Sequence, residues 1–421
     1  MRNSALTARQ RLAMDACTEC GQCLRVCPAA QASGDVNLSA EERMRKLKRL
    51  LRNGSPLASL LRRLPGKLGE ALGGRFAAPS ESELKDYASS VFRCSLCGDC
   101  EEVCPAKIPV KGLWLSLRQE LARTGSAPAK IGMIKDNIAE FRNVFGEDNE
   151  ERGDWVDDMR RPPEGGCQKA KADIVYFTGC TGAYFPLAQK IPMAFAGLLE
   201  QAHADYTILA GAEWCCGFPL LGSGQGTELP DIVRHNVEAV RARGASTVVF
   251  TCPSCYQTWR EHYPAEFKLL HASELLASLA TEGRLQLGEL DMTVTYHDPC
   301  DLGRGSRVFD APRRALACIP GLKLVEMAHS REHSLCCGGG GNLEMIDAGL
   351  SAKMAARRVQ EALDTGAQAI VTTCQQCVRT MATYARRNKA PIEVLDLTQI
   401  LERSAQAFAK QAKAKAKAKG A

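Results

Sequence analysis

The chain has 421 residues, a net charge of +6, twenty cysteines and an apolar fraction of 45%. This length exceeds one ordinary domain and this apolar fraction can build proper cores, so an intrinsically disordered chain is excluded. A disulfide-bonded secreted scaffold is excluded because such scaffolds are short, and no apolar leader precedes Cys17. We expect reduced thiols in a cytoplasm, no membrane-spanning helix and no nucleic-acid binding.

The first 125 residues predict an α-helical module around two cysteine runs. The runs are "CTECGQCLRVCP", with Cys17, Cys20, Cys23 and Cys27, and "CSLCGDCEEVCP", with Cys94, Cys97, Cys100 and Cys104. Both match the C-x₂-C-x₂-C-x₃-C-P spacing of two-cluster ferredoxins, in which the fourth cysteine binds the other cluster. We predict one [4Fe–4S] cluster on Cys17, Cys20, Cys23 and Cys104, and a second on Cys94, Cys97, Cys100 and Cys27. A pair of zinc sites is the alternative, although such sites usually show separated C-x₂-C pairs.

Two helices of this module are indicated by their apolar stripes. One stripe follows the second run and consists of Val110, Leu113, Trp114, Leu117 and Leu121. The other lies in the basic stretch "EERMRKLKRLLR" and consists of Met44, Leu47, Leu50 and Leu51. The basic face of this second helix suits either an acidic partner or an anionic membrane surface, or is the solvated outer face of a packed helix.

A polar stretch with paired prolines and glycines follows the helical module and is predicted to be a linker. From Lys171 onwards, short β-rich runs alternate with helical ones, which indicates a mostly parallel α/β sheet. The predicted strands are "DIVYFT", "YTILA" from 206, "STVVFT" from 246, "TVTYH" from 293, "LKLVE" from 322 and "AIVTT" from 369. The tail "AKQAKAKAKAKGA" is predicted to be a frayed helix or disordered.

Ten cysteines of the α/β part form an internal repeat. The first set is Cys180, Cys215, Cys216, Cys252 and Cys255, and the second is Cys300, Cys336, Cys337, Cys374 and Cys377, offset by 120 to 122 residues. Several of them directly follow a predicted strand, at the edge where open α/β sheets bind ligands. Neighbouring cysteines are too close for an unstrained disulfide but are suited to a shared metal centre. We therefore predict one five-thiolate metal site in each repeat, with zinc or a cubane cluster as alternatives.

Two ferredoxin runs followed by two C…CCG…C-x-x-C repeats resemble the family of the heterodisulfide reductase D subunit, which is a fusion of the C and B subunits. Related members are the iron-sulfur subunits of glycolate oxidase and anaerobic glycerol-3-phosphate dehydrogenase. The resemblance covers about residues 10 to 400. It implies a noncubane [4Fe–4S] cluster on each five-cysteine set, with the substrate disulfide cleaved between the two. Both sets are complete here, which favours two such clusters.

Some conspicuous residues remain outside these sets. Cys167 and Cys318 are predicted to be small buried hydrophobes rather than ligands. His297 and Asp298 in "YHDPC" are candidates to deliver or position a proton, with a hydrogen bond to a ligand as the alternative role of His297. The glycines at 222, 224 and 226 and those from 338 to 341 match no nucleotide-binding motif, so we expect no flavin or nicotinamide site.

The sequence thus predicts a multi-domain iron-sulfur oxidoreductase subunit of an anaerobic respiratory redox complex. The predicted boundaries are 1–125 for the ferredoxin domain, 126–171 for the linker, 172–290 and 291–402 for two CCG cysteine-rich α/β domains with Rossmann-like parallel sheets, and 403–421 for a disordered tail. A flavoprotein or membrane cytochrome b subunit would supply electrons, and would attach the chain peripherally to the cytoplasmic face of the membrane. One alternative is a relay between a flavoprotein dehydrogenase and quinone that reduces no disulfide. Another is a zinc-stabilised assembly scaffold.

Overall fold

The architecture comes from a computed structural model, which describes residues 6–53, 80–163 and 165–419. Part of the predicted helical module and the last two residues of the predicted tail lie outside these ranges. The described chain divides into two units. The first unit comprises Met1–Met133, Pro219–Gly226 and Gly340–Met354, and the second comprises Ile134–Phe218, Thr227–Gly339 and Ala355–Ala421.

The amino-terminal part of the first unit is helical, as predicted. Its helices are α1 (Ala8–Asp15), α2 (Gln22–Val26), α3 (Pro28–Ser33), α4 (Ala40–Asn53), α5 (Glu81–Phe92), α6 (Asp99–Glu102) and α7 (Val110–Arg123). Helix α5 begins with a reciprocal cap, since the Ser80 hydroxyl accepts from the Glu83 amide at 3.1 Å and the Glu83 carboxylate accepts from the Ser80 amide at 3.0 Å. Both predicted apolar stripes, on α4 and on α7, are buried, which confirms those two helices.

The later helices are spread over the rest of both units. They are α8 (Gly132–Phe141), α9 (Cys180–Tyr184), α10 (Pro186–Gln201), α11 (Phe218–Ser223), α12 (Leu229–Ala242), α13 (Pro253–His262), α14 (Ala272–Thr281), α15 (Asp310–Ala317), α16 (Leu343–Ile346), α17 (Ala348–Leu363), α18 (Gln375–Arg387) and α19 (Leu397–Lys419). Short 3₁₀ helices lie at Val36–Leu38, Ala129–Ile131, Glu150–Val156, Ala210–Ala212, Gly226–Glu228 and Arg331–His333.

The second unit contains two parallel four-stranded sheets, which confirms the predicted twofold α/β repeat. The strands are β1 (Ile174–Phe177), β2 (Tyr206–Ile208), β3 (Thr247–Phe250), β4 (Lys268–His271), β5 (Met292–His297), β6 (Leu322–Val325), β7 (Ala369–Thr372) and β8 (Glu393–Asp396). Their orders are β2-β1-β3-β4 and β6-β5-β7-β8. All six predicted strands are present, and β4 and β8 were not predicted.

The two sheets share a hydrophobic core. One cluster of buried side chains includes Tyr176 and Val249 from the first sheet and Tyr296 and Val371 from the second. The stretch predicted to be a linker contributes Trp155 to this cluster, from a 3₁₀ helix. Because the sheets are buried on this side, the ends of their strands and the following loops are the places left for a polar site.

Candidate metal centres

The cysteine runs of the first unit line two neighbouring cavities. Cys17, Cys20, Cys23 and Cys104 line a cavity of about 320 Å³, which Cys100 also touches. Cys27, Cys94, Cys97 and Cys100 line the second cavity. The structure therefore brings together the two predicted sets, each made of three cysteines from one run and one from the other. The assignment of clusters to these sets remains a prediction.

The two runs share a local conformation that explains their common glycine. Gly21 and Gly98 each precede a short helix with a positive φ, of 78° and 76° respectively, which favours glycine. The turn brings backbone N–H groups towards sulfur, and the Leu96 amide donates to the Cys94 Sγ at 3.4 Å. Burial raises the pKa of the Cys23 and Cys27 thiols to about 11. Thiolates at these positions need a compensating cation, and a metal supplies one.

The five cysteines of the first CCG set form one continuous cluster of thiols. Cys180 begins α9 after β1, the doublet follows β2, and the last pair flanks the start of α13 after β3. Neighbouring thiols interact along the set, Cys180 with Cys215, Cys215 with Cys216, Cys216 with Cys255 and Cys255 with Cys252. Each thiol of the set interacts with at least one other, which is the arrangement that ligands of one metal cluster need.

The second CCG set is gathered less completely. Cys337 interacts with Cys336, and Cys377 interacts with Cys374. A hydrogen bond of 3.2 Å between the sulfurs of Cys337 and Cys377 joins the two pairs. Cys300 lies on the loop after β5 and is partly exposed. Among the described residues, no thiol contact joins Cys300 to the other four. Four thiols fit a metal cluster, and the fifth predicted ligand would have to approach it through this loop.

The two CCG sets are connected by polar contacts between the repeats. Gln375, between Cys374 and Cys377 of the second set, is buried, and its amide donates to the Thr178 carbonyl at 2.9 Å and accepts from the Gly182 amide at 3.0 Å. Those two residues flank Cys180 of the first set. The reciprocal contact joins Ser254, between the last cysteines of the first set, to Asp301 beside Cys300, at 2.7 Å. Each C-x-x-C turn therefore contacts the first cysteine loop of the other repeat.

A buried ion pair lies against the first set. The Arg152 guanidinium and the Glu213 carboxylate are 2.8 Å apart and almost fully buried, and Arg152 also lies 3.7 Å from the Cys180 Sγ. Glu213 accepts from the amides of Thr178 and Gly179, at 2.7 and 2.8 Å. Burial raises the pKa of Glu213, although Arg152 opposes this shift. Sequence analysis missed the pair, and the only signal was Glu213 two residues before the doublet.

His297 lies against the second set, where one of its ring nitrogens and the sulfurs of Cys337 and Cys377 are all within 4.8 Å of one another. Its Nδ1 accepts from the Arg358 Nε at 2.9 Å. Because this bond occupies the lone pair of Nδ1, the neutral ring carries its proton on Nε2. Burial lowers the pKa of His297, which favours the neutral form. The geometry suits a ring N–H of His297 that donates to a ligand sulfur, which is the alternative role that the sequence analysis gave to this residue.

Asp298 is held by arginine rather than directed at a cysteine. Its carboxylate binds the Arg313 guanidinium through both oxygens, at 2.7 and 2.9 Å, and accepts from the Arg331 amide at 2.7 Å. These contacts engage both carboxylate oxygens and orient the loop that carries Cys300. A part for Asp298 in proton delivery remains a prediction.

The two unassigned cysteines differ from each other. Cys167 is buried, as predicted, with its sulfur 3.2 Å from the Tyr206 hydroxyl. Cys318 is partly exposed and donates to the Arg314 carbonyl at 3.3 Å, so the prediction of a buried residue was wrong for it. Its helix is amphipathic and short, and Cys318 caps its end rather than facing the core.

No described helix is both long and apolar enough to cross a membrane.

The chain matches two family models and is similar to several known proteins. A family model described as a 4Fe-4S dicluster domain matches residues 13–108, and one described as CCG, cysteine-rich domain, matches residues 174–260 and 294–382. The chain is 35% identical to the D subunit of the dihydromethanophenazine:CoB--CoM heterodisulfide reductase of Methanosarcina acetivorans, over 93% of this chain and 94% of that protein. Identity to the corresponding D subunit of Methanosarcina mazei is 33%, over 94% and 95% of the two chains.

A more distant relative is named for a different activity. The EtfAB:quinone oxidoreductase of Syntrophomonas wolfei is 25% identical, over 93% of this chain and 58% of that protein. The common feature of these matches is that almost all of the present chain is aligned. Proteins with different names thus align with almost all of this chain.

Proposed function

The chain belongs to the heterodisulfide reductase D-subunit family, and on that basis we propose that it reduces a disulfide within a redox complex. It is an iron-sulfur oxidoreductase subunit that transfers electrons. In the proposal, electrons from a flavoprotein or membrane cytochrome b subunit enter the ferredoxin centres and continue to the CCG centres. Two electrons and two protons convert the disulfide into two thiols. The partner would hold the chain at the cytoplasmic face of a membrane.

The observation that carries the proposal is the unbroken cluster of five thiols at Cys180, Cys215, Cys216, Cys255 and Cys252. Cys216 and Cys255 also pack in a hydrophobic core, but five interacting thiols at one edge of a sheet fit an iron-sulfur core. When bound, iron-sulfur clusters supply the one-electron chemistry. The chain's own cysteines would hold the two cubane clusters. One would be bound by Cys17, Cys20, Cys23 and Cys104, and the other by Cys94, Cys97, Cys100 and Cys27.

The contacts around the CCG sets support roles for this chain's residues in orientation and proton placement. Gln375 and Ser254 fix each C-x-x-C turn against the other repeat, which keeps the two sets facing a common region. His297 would donate its Nε2 proton towards Cys337, and Arg358 would hold the ring in that orientation. Asp298 would act through Arg313, by holding the loop of Cys300 in place.

A viologen-linked assay with the anaerobically purified chain tests the proposal. Candidate disulfides are added to the chain with reduced viologen as electron donor, and viologen oxidation and new thiols are counted together. The proposal predicts two thiols for every two viologens oxidised. Intact clusters that oxidise no viologen with any disulfide in the set would contradict disulfide reduction.

The similarity to an EtfAB:quinone oxidoreductase favours a second candidate, an electron relay between a dehydrogenase and quinone. In that case the clusters are reduced and reoxidised by partners without a disulfide. The same preparation distinguishes the two functions, because a relay reoxidises with a quinone analogue and leaves the disulfides intact.

A further inference from the structure

Two arginines of the first unit are buried without a carboxylate partner among the described residues. Arg118 on α7 is fully buried. Its guanidinium donates only to backbone carbonyls, those of Val91, Phe92, Cys94, Gly222 and Gly341. Arg43 on α4 is 1% exposed and donates from Nε to the Ser90 carbonyl at 2.9 Å and hydroxyl at 3.1 Å. Such charges are costly to bury unless negative charge lies near them.

Both arginines interact electrostatically with cysteines of the second ferredoxin centre, Arg43 with Cys27 and Arg118 with Cys94. The Arg118 guanidinium binds the Cys94 carbonyl at 2.6 Å. Burial lowers the pKa of Arg118 to about 10, and Cys94 opposes that shift. Arg43 lines the same cavity as Cys27, Cys94, Cys97 and Cys100, together with Lys111. Both cations therefore act on one centre.

The first ferredoxin centre has the opposite surroundings. Its cavity is lined by the acids Glu19 and Glu41, and none of its described lining residues is an arginine or lysine. The nearby Lys48 donates to the Cys17 carbonyl at 2.7 Å but also pairs with Glu19 at 3.5 Å. Cys20 of this centre is exposed to solvent, which screens charges there. The first centre is thus less positive and more exposed than the second.

Two acids weaken the positive field at the second centre. Asp99 and Glu101 lie on α6 beside Cys100. Glu101 bonds to the Lys111 amide, and burial raises its pKa. Arg118 and Arg43 are both more deeply buried than Glu101, and burial strengthens electrostatic effects. Asp99 is buried as deeply as the arginines, but the second centre has three cations, Arg118, Arg43 and Lys111, against these two acids.

We propose that Arg118 and Arg43 raise the reduction potential of the centre at Cys27, Cys94, Cys97 and Cys100 above that of the centre at Cys17, Cys20, Cys23 and Cys104. Reduction adds one negative charge to a cluster, and a nearby buried cation stabilises the reduced state. An electron that enters at the exposed first centre then settles on the buried second one. This inference rests on the proposed function, since it assumes two cubane clusters.

The test is an anaerobic redox titration followed by electron paramagnetic resonance. The signals are assigned first, because Cys20→Ser should alter only that of the exposed centre. In Arg118→Met, the reduced-to-oxidised ratio of the second centre at a fixed potential should fall about tenfold. Arg118→Lys, which keeps the charge, should show a smaller fall. Arg123→Met is the matched control on the same helix, since Arg123 is exposed, and it should change neither potential.

Other outcomes distinguish a failure of this inference from a failure of the proposed function. Unchanged potentials in Arg118→Met with both clusters intact would overturn the inference, as would a wild-type protein whose first centre is reduced more easily. Should Arg118→Met fail to fold, Arg43→Met must lower the potential of the second centre, and an unchanged value there overturns the inference equally. A wild-type protein with fewer than two cubane signals would instead contradict the proposed function itself.

Discussion

The two CCG repeats have the same strand order and nearly the same cysteine spacing, but different groups surround their thiols. In the first repeat, the buried pair of Arg152 and Glu213 lies against Cys180. In the second, the neutral ring of His297, oriented by Arg358, lies against Cys337. The cysteine ligands recur in both repeats, whereas the residues that supply charge and hydrogen bonds to them differ between the repeats. The two centres should therefore differ in properties although their ligand sets match.

The last strands of the two sheets show the same contrast. His271 ends β4 and Asp396 ends β8, and both side chains are buried. Burial lowers the pKa of His271 to about 3 and raises that of Asp396 to about 7. Equivalent positions of one topology therefore respond to pH in opposite directions. The duplicated fold does not impose one electrostatic environment on both halves.

Removing a ligand from either repeat should have the largest effect. Cys216→Ser and Cys337→Ser each remove the thiol that links the doublet to the C-x-x-C pair. We expect each variant to lose about four irons per chain. Iron analysis of the purified variants measures this loss. Cys318→Ser is the control, because Cys318 belongs to neither set, and a loss of iron there would show that the assignment of ligands is wrong.

Removing one member of the buried ion pair should destabilise the first repeat strongly. Arg152→Met leaves Glu213 as an uncompensated buried charge, which costs about 3 to 5 kcal/mol of unfolding free energy. Urea unfolding measures the change, and Arg152→Met combined with Glu213→Gln should recover part of it. The matched variant of the second repeat, Arg358→Met, should lose less, because its partner Glu361 is 12% exposed. Equal losses would mean that the two repeats are alike in this respect.

The pH dependence of stability should change when Asp396 is replaced. Its pKa is about 7 in the folded state against an ordinary 3.8, so its contribution to stability is fully present below pH 4 and is lost as pH rises through 7. The unfolding free energy of Asp396→Asn, relative to that of the wild type, should therefore be higher at pH 8 than at pH 6. Thermal unfolding at the two values measures this difference.

His271 provides the comparison for that experiment. Its pKa is lowered in the folded state, so its contribution is present above pH 6.5 and is lost as pH falls. The unfolding free energy of His271→Gln, relative to that of the wild type, should therefore be higher at pH 6 than at pH 8. This pH dependence is opposite in sign to that of Asp396→Asn. The same sign in both variants would contradict the contrast between β4 and β8.

Breaking the contact between the repeats should have the smallest effect on stability. Gln375→Met removes hydrogen bonds to Thr178 and Gly182, each of which contributes about 1 kcal/mol. It should also alter the spectrum of the first centre, although Gln375 lies between cysteines of the second. Gln376→Met is the control, since Gln376 bonds within its own helix to Thr380. Spectra altered only in the second centre would show that the contact does not connect the repeats.

Local sequence patterns predicted most of the fold and most of the thiols that the structure brings together, whereas the ligand sets themselves remain a prediction. Cysteine spacing identified the thiols that the structure gathers, because each lies on a loop at the end of a strand or in a short run. Alternating apolar residues identified six strands. Strands β4 and β8 were missed because each begins with an exposed charged residue, Lys268 or Glu393. Edge strands of this kind resemble loops in a sequence.

The groups that surround the ligands were beyond prediction for a different reason. Arg152 and Glu213 are 61 residues apart, and Gln375 is 193 residues from Gly182. No periodicity or spacing relates such positions. The first contact follows from how the 3₁₀ helix Glu150–Val156 packs beside the first sheet, and the second from how the two repeats pack. Arg152 also lies in a polar stretch whose composition indicates a linker. The ion pair that it forms with Glu213 is recognisable only in the folded structure, where both side chains are buried.

Iron and acid-labile sulfide, counted on one anaerobically purified sample, test the central claim that both CCG sets hold iron-sulfur clusters. Four clusters predict about sixteen irons and sixteen sulfides per chain, whereas the ferredoxin centres alone would contain about eight of each. A value near sixteen supports clusters in both repeats. A value near eight, with zinc in the remainder, would contradict the account and favour a zinc-stabilised scaffold.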